Sequence, residues 1–179
     1  MGRAVAAALA LLALATVAGC GGSGGVAAGA TVDVYVGAGL CAGAREALSR
    51  QQGRAGELEV RAICLRPVVA GKRIDLATQG ANARRASEDS AAVAFVEAKG
   101  KPAEFAQPIV EEAGIAFVVA GSGEAAMGRV LRAVADAGTS ASPREKVREA
   151  LELGRRAQGA ASAYSRSRSA SSSCGCWNS

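Results

Sequence analysis

The chain has 179 residues, half of them hydrophobic and only 3% aromatic, and carries a formal net charge of +5 without a single histidine. The missing imidazole excludes Ser-His-Asp and Cys-His catalysis and removes the commonest metal ligand. Scarce aromatic rings, and basic residues scattered among acids, argue against nucleic acid as a partner, while the mild basicity suits an anionic lipid or polymer surface.

Arg3 supplies a short basic start, Val5 to Val17 is an apolar run, and small residues close it at Val17-Ala18-Gly19-Cys20. That is the pattern of a signal peptide over residues 1–19. A membrane-spanning helix needs about 20 apolar residues, and this run stops short before a glycine-rich segment. Val17-Ala18-Gly19-Cys20 resembles the lipobox of bacterial lipoproteins. The resemblance implies thioether lipidation of Cys20, cleavage before it, and a lipid anchor at the extracytoplasmic face of the cell membrane. Stable anchoring takes more than one acyl chain, as lipoproteins carry. Cleavage removes only Arg3 from the charged set, so the mature chain stays basic. Residues 20–30 follow as a tether: Gly21 to Ala30 is almost all Gly, Ser and Ala, which can bury nothing.

Residues 31–156 then hold one domain of about 125 residues, the usual size for a single core. Thr31–Val36 alternates as a strand does, Gly37-Ala38-Gly39 turns, and Ala42–Arg54 predicts a short helix. Leu58–Leu65 alternates again and Pro67 stops it. Arg73–Ser87 predicts a helix whose apolar face is Ile74, Ala77, Ala81 and Ala86. Ala91–Val96 is continuously apolar, as a central strand buried on both faces is. Pro102 opens a helix with apolar positions Phe105, Ile109 and Val110, kinked or restarted at Pro108. Ile115–Val119 is the next strand. Two helices follow: one with Ala126, Met127, Val130, Leu131 and Val134, ended by Gly138, and one capped by Ser142 with Pro143 and Glu145, burying Val147, Ala150 and Leu151. From about Gln158 the Ser- and Arg-rich chain lacks periodic apolar residues, and residues 157–179 read as a disordered tail. Strands alternating with helices predict an α/β three-layer sandwich with a mostly parallel sheet.

The stretch Ala81-Asn82-Ala83-Arg84-Arg85-Ala86-Ser87-Glu88-Asp89-Ser90, continued by Val93-Ala94-Phe95-Val96 and by Pro108-Ile109-Val110-Glu111-Glu112-Ala113-Gly114-Ile115, resembles the branched-chain amino-acid binding proteins of ABC importers. Glu124 to Val134 and Glu145 to Leu151 are similar to that family's C-terminal helices. The resemblance implies a single lobe of the type I periplasmic-binding fold, an amino-acid-like solute as ligand, and an ABC permease or a second lobe from another chain as partner. Where the family carries a whole second lobe and its hinge, only Ala120-Gly121-Ser122-Gly123 stands here. Its ligand loops correspond to Glu97-Ala98-Lys99 and to that junction, so Glu97, Ala98, Lys99 and Ser122 are the candidate ligand residues. One lobe offers half a pocket, because such proteins enclose ligand between two.

Gly37-Ala38-Gly39-Leu40-Cys41-Ala42 has the G-x-G-x-x-A form of a dinucleotide turn, but Arg66 ends the second strand where a ribose-binding acid belongs. A glycine-permitted turn with no cofactor is the simpler reading. Cys41 and Cys64 end up at one edge if their strands are neighbours, and a disulfide there would stabilise by roughly 3 kcal/mol in an oxidising exterior. Cys174-Gly175-Cys176 offers too few ligands, too close together, for zinc. Glu97, Lys99 and Lys101 crown the strand edge at which α/β sheets bind ligands. The two resemblances together imply a lipid-anchored, truncated solute-binding-type protein that performs no chemistry. The alternative is an envelope interaction or structural lipoprotein that exposes its interlobe face to a protein partner.

Overall fold

The computed structural model describes residues 29–70 and 73–156. The signal peptide, Cys20, most of the tether, and the tail with Cys174 and Cys176 lie outside the described residues. The elements in chain order are β1 (Thr31–Val36), a 3-10 turn (Ala38–Leu40), α1 (Cys41–Arg50), β2 (Arg54–Ala55), β3 (Leu58–Cys64), β4 (Val69–Ala70) and β5 (Arg73–Ile74). There follow α2 (Leu76–Glu88), β6 (Ala92–Ala98), α3 (Lys101–Glu112), β7 (Ala116–Ala120) and α4 (Gly123–Ala137), then α5 over residues 143–156.

The main sheet has the order β2-β3-β1-β6-β7, parallel throughout except for the two-residue β2. Its central strands are apolar on both faces, and each face buries its own core. One core joins Val34, Val36 and Val96 to Ala44, Met127, Val130 and Val147, from α1, α4 and α5. The other joins Tyr35 and Phe95 to Ala83, Ala86, Ala106 and Val110, from α2 and α3. The molecule is thus a three-layer α/β sandwich. Gly29 and Ala30 are already bonded to Glu57 and Glu59, so the tether ends inside the strand ladder.

Several boundaries differ from the sequence reading. The first helix stops at Arg50, because Gln52 and Gly53 both take positive φ and turn the chain back into β2. The second helix begins at Leu76, not Arg73. Residues Arg73–Ile74 instead pair with Val69–Ala70, and the Asp75 carboxylate accepts from the Thr78 N–H at 3.0 Å as the N-cap. That cap holds Asp75 below the usual carboxylate range, through the Thr78 N–H and hydroxyl. The buried face of α2 is Gln79, Asn82, Ala83 and Ala86, leaving Ala77 and Ala81 exposed. Alanine carries too little hydrophobicity to set the phase, so the partners of Gln79 and Asn82 set it. Helix α3 runs unbroken through Pro108 and buries Ala103, Ala106 and Val110, with Phe105 41% exposed over Gly80.

Candidate functional site

In an open α/β sheet, ligands collect where the strand order reverses, beyond the carboxyl ends of the strands. Here β1 is followed in the sheet by β3 on one side and β6 on the other, so the reversal lies between β1 and β6. Gly37 follows β1 and Glu97 closes β6 at that point.

Glu97 belongs to the strand, not to the loop expected from the sequence, and is only 7% exposed. Its Oε1 accepts from the Ala98 N–H at 3.0 Å and its Oε2 from the Gln79 Nε2 at 3.2 Å. Gly37 donates its N–H to the Val96 carbonyl at 2.8 Å, and a Cβ on Gly37 would collide with Glu97 Oε1. The first glycine of the G-x-G turn therefore makes room for the chain's own carboxylate. That carboxylate would repel a phosphate in the place a dinucleotide turn keeps for it.

Helix α2 ties this edge together. Gln79 also donates to the Pro102 carbonyl at 3.1 Å, joining the end of β6 to the start of α3, and its Oε1 is buried without a partner. Asn82 donates to the Arg66 carbonyl at 3.0 Å and accepts from the Arg66 N–H at 3.3 Å, pinning the chain beyond β3. Sequence reasoning missed both residues, since each sits in an Ala-rich helix with no periodic signal.

The other candidates differ in what they do. Ala98 and Lys99 are exposed on the crown of β6. Ser122 is exposed on the neighbouring crown, paired in register through Ala98 and Ala120, but its Oγ accepts from the Ala125 N–H at 3.2 Å as the N-cap of α4. The four residues therefore share one edge, with Ala98 and Lys99 free toward solvent and Glu97 and Ser122 engaged in the fold. At the same edge Cys41, first residue of α1, is disulfide-bonded to Cys64, last residue of β3, with Cα atoms 5.7 Å apart.

A second polar cluster lies on the α2–α3 face. Arg61 grips buried Asp33 with two hydrogen bonds of 2.7 Å, and the Tyr35 hydroxyl donates to Asp89 at 2.9 Å. Burial, and then the Asp89 acceptor and its charge, push the Tyr35 hydroxyl up to about 12. Burial alone would raise Asp89, but the Ala91 N–H, the Tyr35 hydroxyl and nearby Arg61 outweigh it and hold Asp89 below the usual carboxylate range. At the opposite end of the sheet Arg144 donates to the carbonyls of Asp89, Ala92 and Ala113 at 2.6, 2.8 and 3.1 Å. The Ser142-Pro143-Glu145 pattern marks a helix start here but gives no sign of this role.

Three surface grooves of about 590, 650 and 540 Å³ lie at the lower end of the sheet, along the free edge of β7, and between α1 and α4. None is lined by Glu97, Ala98, Lys99 or Ser122. Among the described residues no helix is long and apolar enough to cross a membrane, and no three His, Cys, Asp or Glu side chains group as metal ligands. Compared with known protein families, curated proteins and solved structures, the chain matches none.

Proposed function

We propose that this chain is the solute-binding-type lobe of an exported, Cys20-anchored lipoprotein, and that it works by binding, without chemistry. The lobe offers one wall of a site, and the second wall comes from outside the chain, from another copy or from a permease of the ABC type. The observation that carries the reading is the one-sided crown at the strand-order reversal. Lys99 and Lys101 stand there in solvent at the start of α3, a setting that offsets the charge of buried Glu97 and favours a carboxylate through charge and helix dipole. A single wall leaves much of a small ligand in water, and enclosure is where affinity for such ligands comes from.

An amide-resolved titration with branched-chain and polar amino acids tests this. Shifts at Ala98, Lys99 and Ser122 that saturate only in the millimolar range are the expected result. Micromolar capture by the monomer overturns the one-wall argument, and silence at all three amides up to tens of millimolar overturns the solute reading.

A further inference from the structure

Six large apolar side chains stand markedly exposed among the described residues, and four of them gather at one place. Single exposed apolar residues are ordinary on a surface, whereas a contiguous group inside a polar rim marks a contact. Val69 and Ile74 face each other across the β4–β5 ladder, and the Asp75 N–H donates to the Val68 carbonyl at 2.8 Å, which ties that ladder to the start of α2. Leu76 is the first residue of α2, and Gly80 follows one turn later on the same side of the helix. The Phe105 ring lies over Gly80, its Cε1 3.4 Å from where a Cβ would stand, so Phe105 and Leu76 are neighbours across α2 and α3. Val69, Ile74, Leu76 and Phe105 are each between 40% and 55% exposed.

The rim of this patch is basic. Lys101 precedes Phe105 by one turn of α3, and Lys99 stands in the turn before that helix. Arg73 belongs to the same two-stranded ladder, Arg66 is held by Asn82 of α2, and Arg84 Nη2 lies 4.0 Å from the position of a Gly80 Cβ, on the side of the ring. Against these five cations stand three acids: Asp75, which caps α2, Glu104 on the exposed side of α3, and Glu97, buried at the end of β6. Toward the lower ends of α2 and α3 the balance reverses, with Arg61, Arg85 and Arg144 against Asp33, Glu88, Asp89, Glu111 and Glu112.

A surface of this kind repels a second copy of itself, because two such faces brought together set cation against cation. An anionic bilayer offers both complements at once: phosphates for the rim, and an apolar layer just beneath them for the side chains inside it. Lysine and arginine stems lie along apolar surface while their charge stays at the level of the phosphates, which suits Lys101 beside Phe105 and Arg84 beside Gly80.

We infer that Val69, Ile74, Leu76 and Phe105 dock on an anionic membrane surface, with the five cations around them on its phosphates. The docking goes beyond the solute reading and does not rest on Cys20 lipidation, since patch and rim belong wholly to the described domain.

Quenching by bromine on lipid chains tests this in the full chain reconstituted with vesicles. Trp177→Phe removes the single tryptophan, Phe105→Trp supplies the probe, and Leu153→Trp, at a position 57% exposed on α5, is the reference. With brominated phosphatidylglycerol and phosphatidylcholine, at least twofold quenching at position 105 and little at 153 is expected. The signal at 105 should fall to the level at 153 in Arg73→Glu/Lys101→Glu, and in vesicles of phosphatidylcholine alone. Equal quenching at the two positions, or none at 105, refutes the docking. Undiminished quenching at 105 in phosphatidylcholine alone refutes the part given to anionic lipid. A blue shift at 105 that needs no lipid and grows with protein concentration overturns the inference and assigns the patch to a second copy.

Discussion

A methyl group added at Gly123 tests how closely α1 and α4 approach. A Cβ there would overlap the Leu40 carbonyl oxygen and lie 2.8 Å from the Ala44 nitrogen. Both obstacles are backbone, so no side chain can swing aside, and relief requires α4 to lift away from α1. That opens the packing of Ala44, Ala126 and Met127, all almost fully buried. Overpacking of this kind costs about 1–3 kcal/mol where side chains can adjust, and backbone obstacles place Gly123→Ala at about 3 kcal/mol. The loss should appear as a lower urea midpoint with an unchanged slope, and as a Tm lower by about 10 °C. Gly128 in the same helix is the control. A Cβ there meets only the Arg132 Nη1, at 3.9 Å, so Gly128→Ala should stabilise by about 0.5–1 kcal/mol through helix propensity. The two substitutions are chemically identical and five residues apart, so opposite signs report packing alone. A neutral or stabilising Gly123→Ala would refute the close approach.

Three further outcomes are expected. Cys41→Ser/Cys64→Ser, or reduction, should lower stability by roughly 3 kcal/mol by freeing the loop between residues 23 apart, and an unchanged urea midpoint with and without reductant would count against the bond. Tyr35 is protonated more firmly folded than unfolded, so its contribution is complete below pH 10 and is lost as pH rises toward 12, amounting to about 3 kcal/mol. Tyrosinate absorbance in a Tyr164→Phe background should show that late titration, and ionisation near pH 10 would contradict the Asp89 contact. Arg144→Ala removes a donor from three carbonyls at the lower end of the sheet, of which that of Asp89 keeps the Ala92 N–H, and should cost about 2 kcal/mol, with Arg144→Lys failing to restore it because an ammonium cannot reproduce the fork. Denaturation midpoints that rank lysine with arginine would overturn that assignment.

What was legible in the sequence follows from how strongly each residue type discriminates burial. Val32, Val34, Val36 and Val93 to Val96 announce buried strands, because branched and aromatic side chains fit a pleated surface and are costly in water. Met127, Val130, Leu131 and Val134 announce the face of α4 by their spacing. The phase of α2 was hidden: alanines fall on every side of it, and its true inner face is held by two amides whose partners lie far along the chain. Phe105 was misplaced for a related reason, since its ring covers Gly80 from outside instead of entering the core. No local pattern reveals Glu97 as buried either, because the space it occupies exists only where Gly37 lacks a side chain.

The junction Ala120-Gly121-Ser122-Gly123 depends in the same way on contacts distant in sequence. Read as sequence, it marks the place where the resembling family carries a second lobe, and a bare linker would suffice there. In the fold it is specified residue by residue: Ala120 completes β7 opposite Ala98, Ser122 caps α4, and Gly123 lets α4 press on the turn before α1. A chain inserted at Gly121 would still leave cap and contact in place, since Gly121 has open space around it. A chain inserted one or two residues later would break them. The described domain is therefore closed as a packing unit by its own residues, and at this junction its crown is finished by the Ser122 cap of α4. On the proposed reading, a second wall would accordingly arrive as a separate surface, and exposed Lys99 and Ala98 are the groups it would meet first.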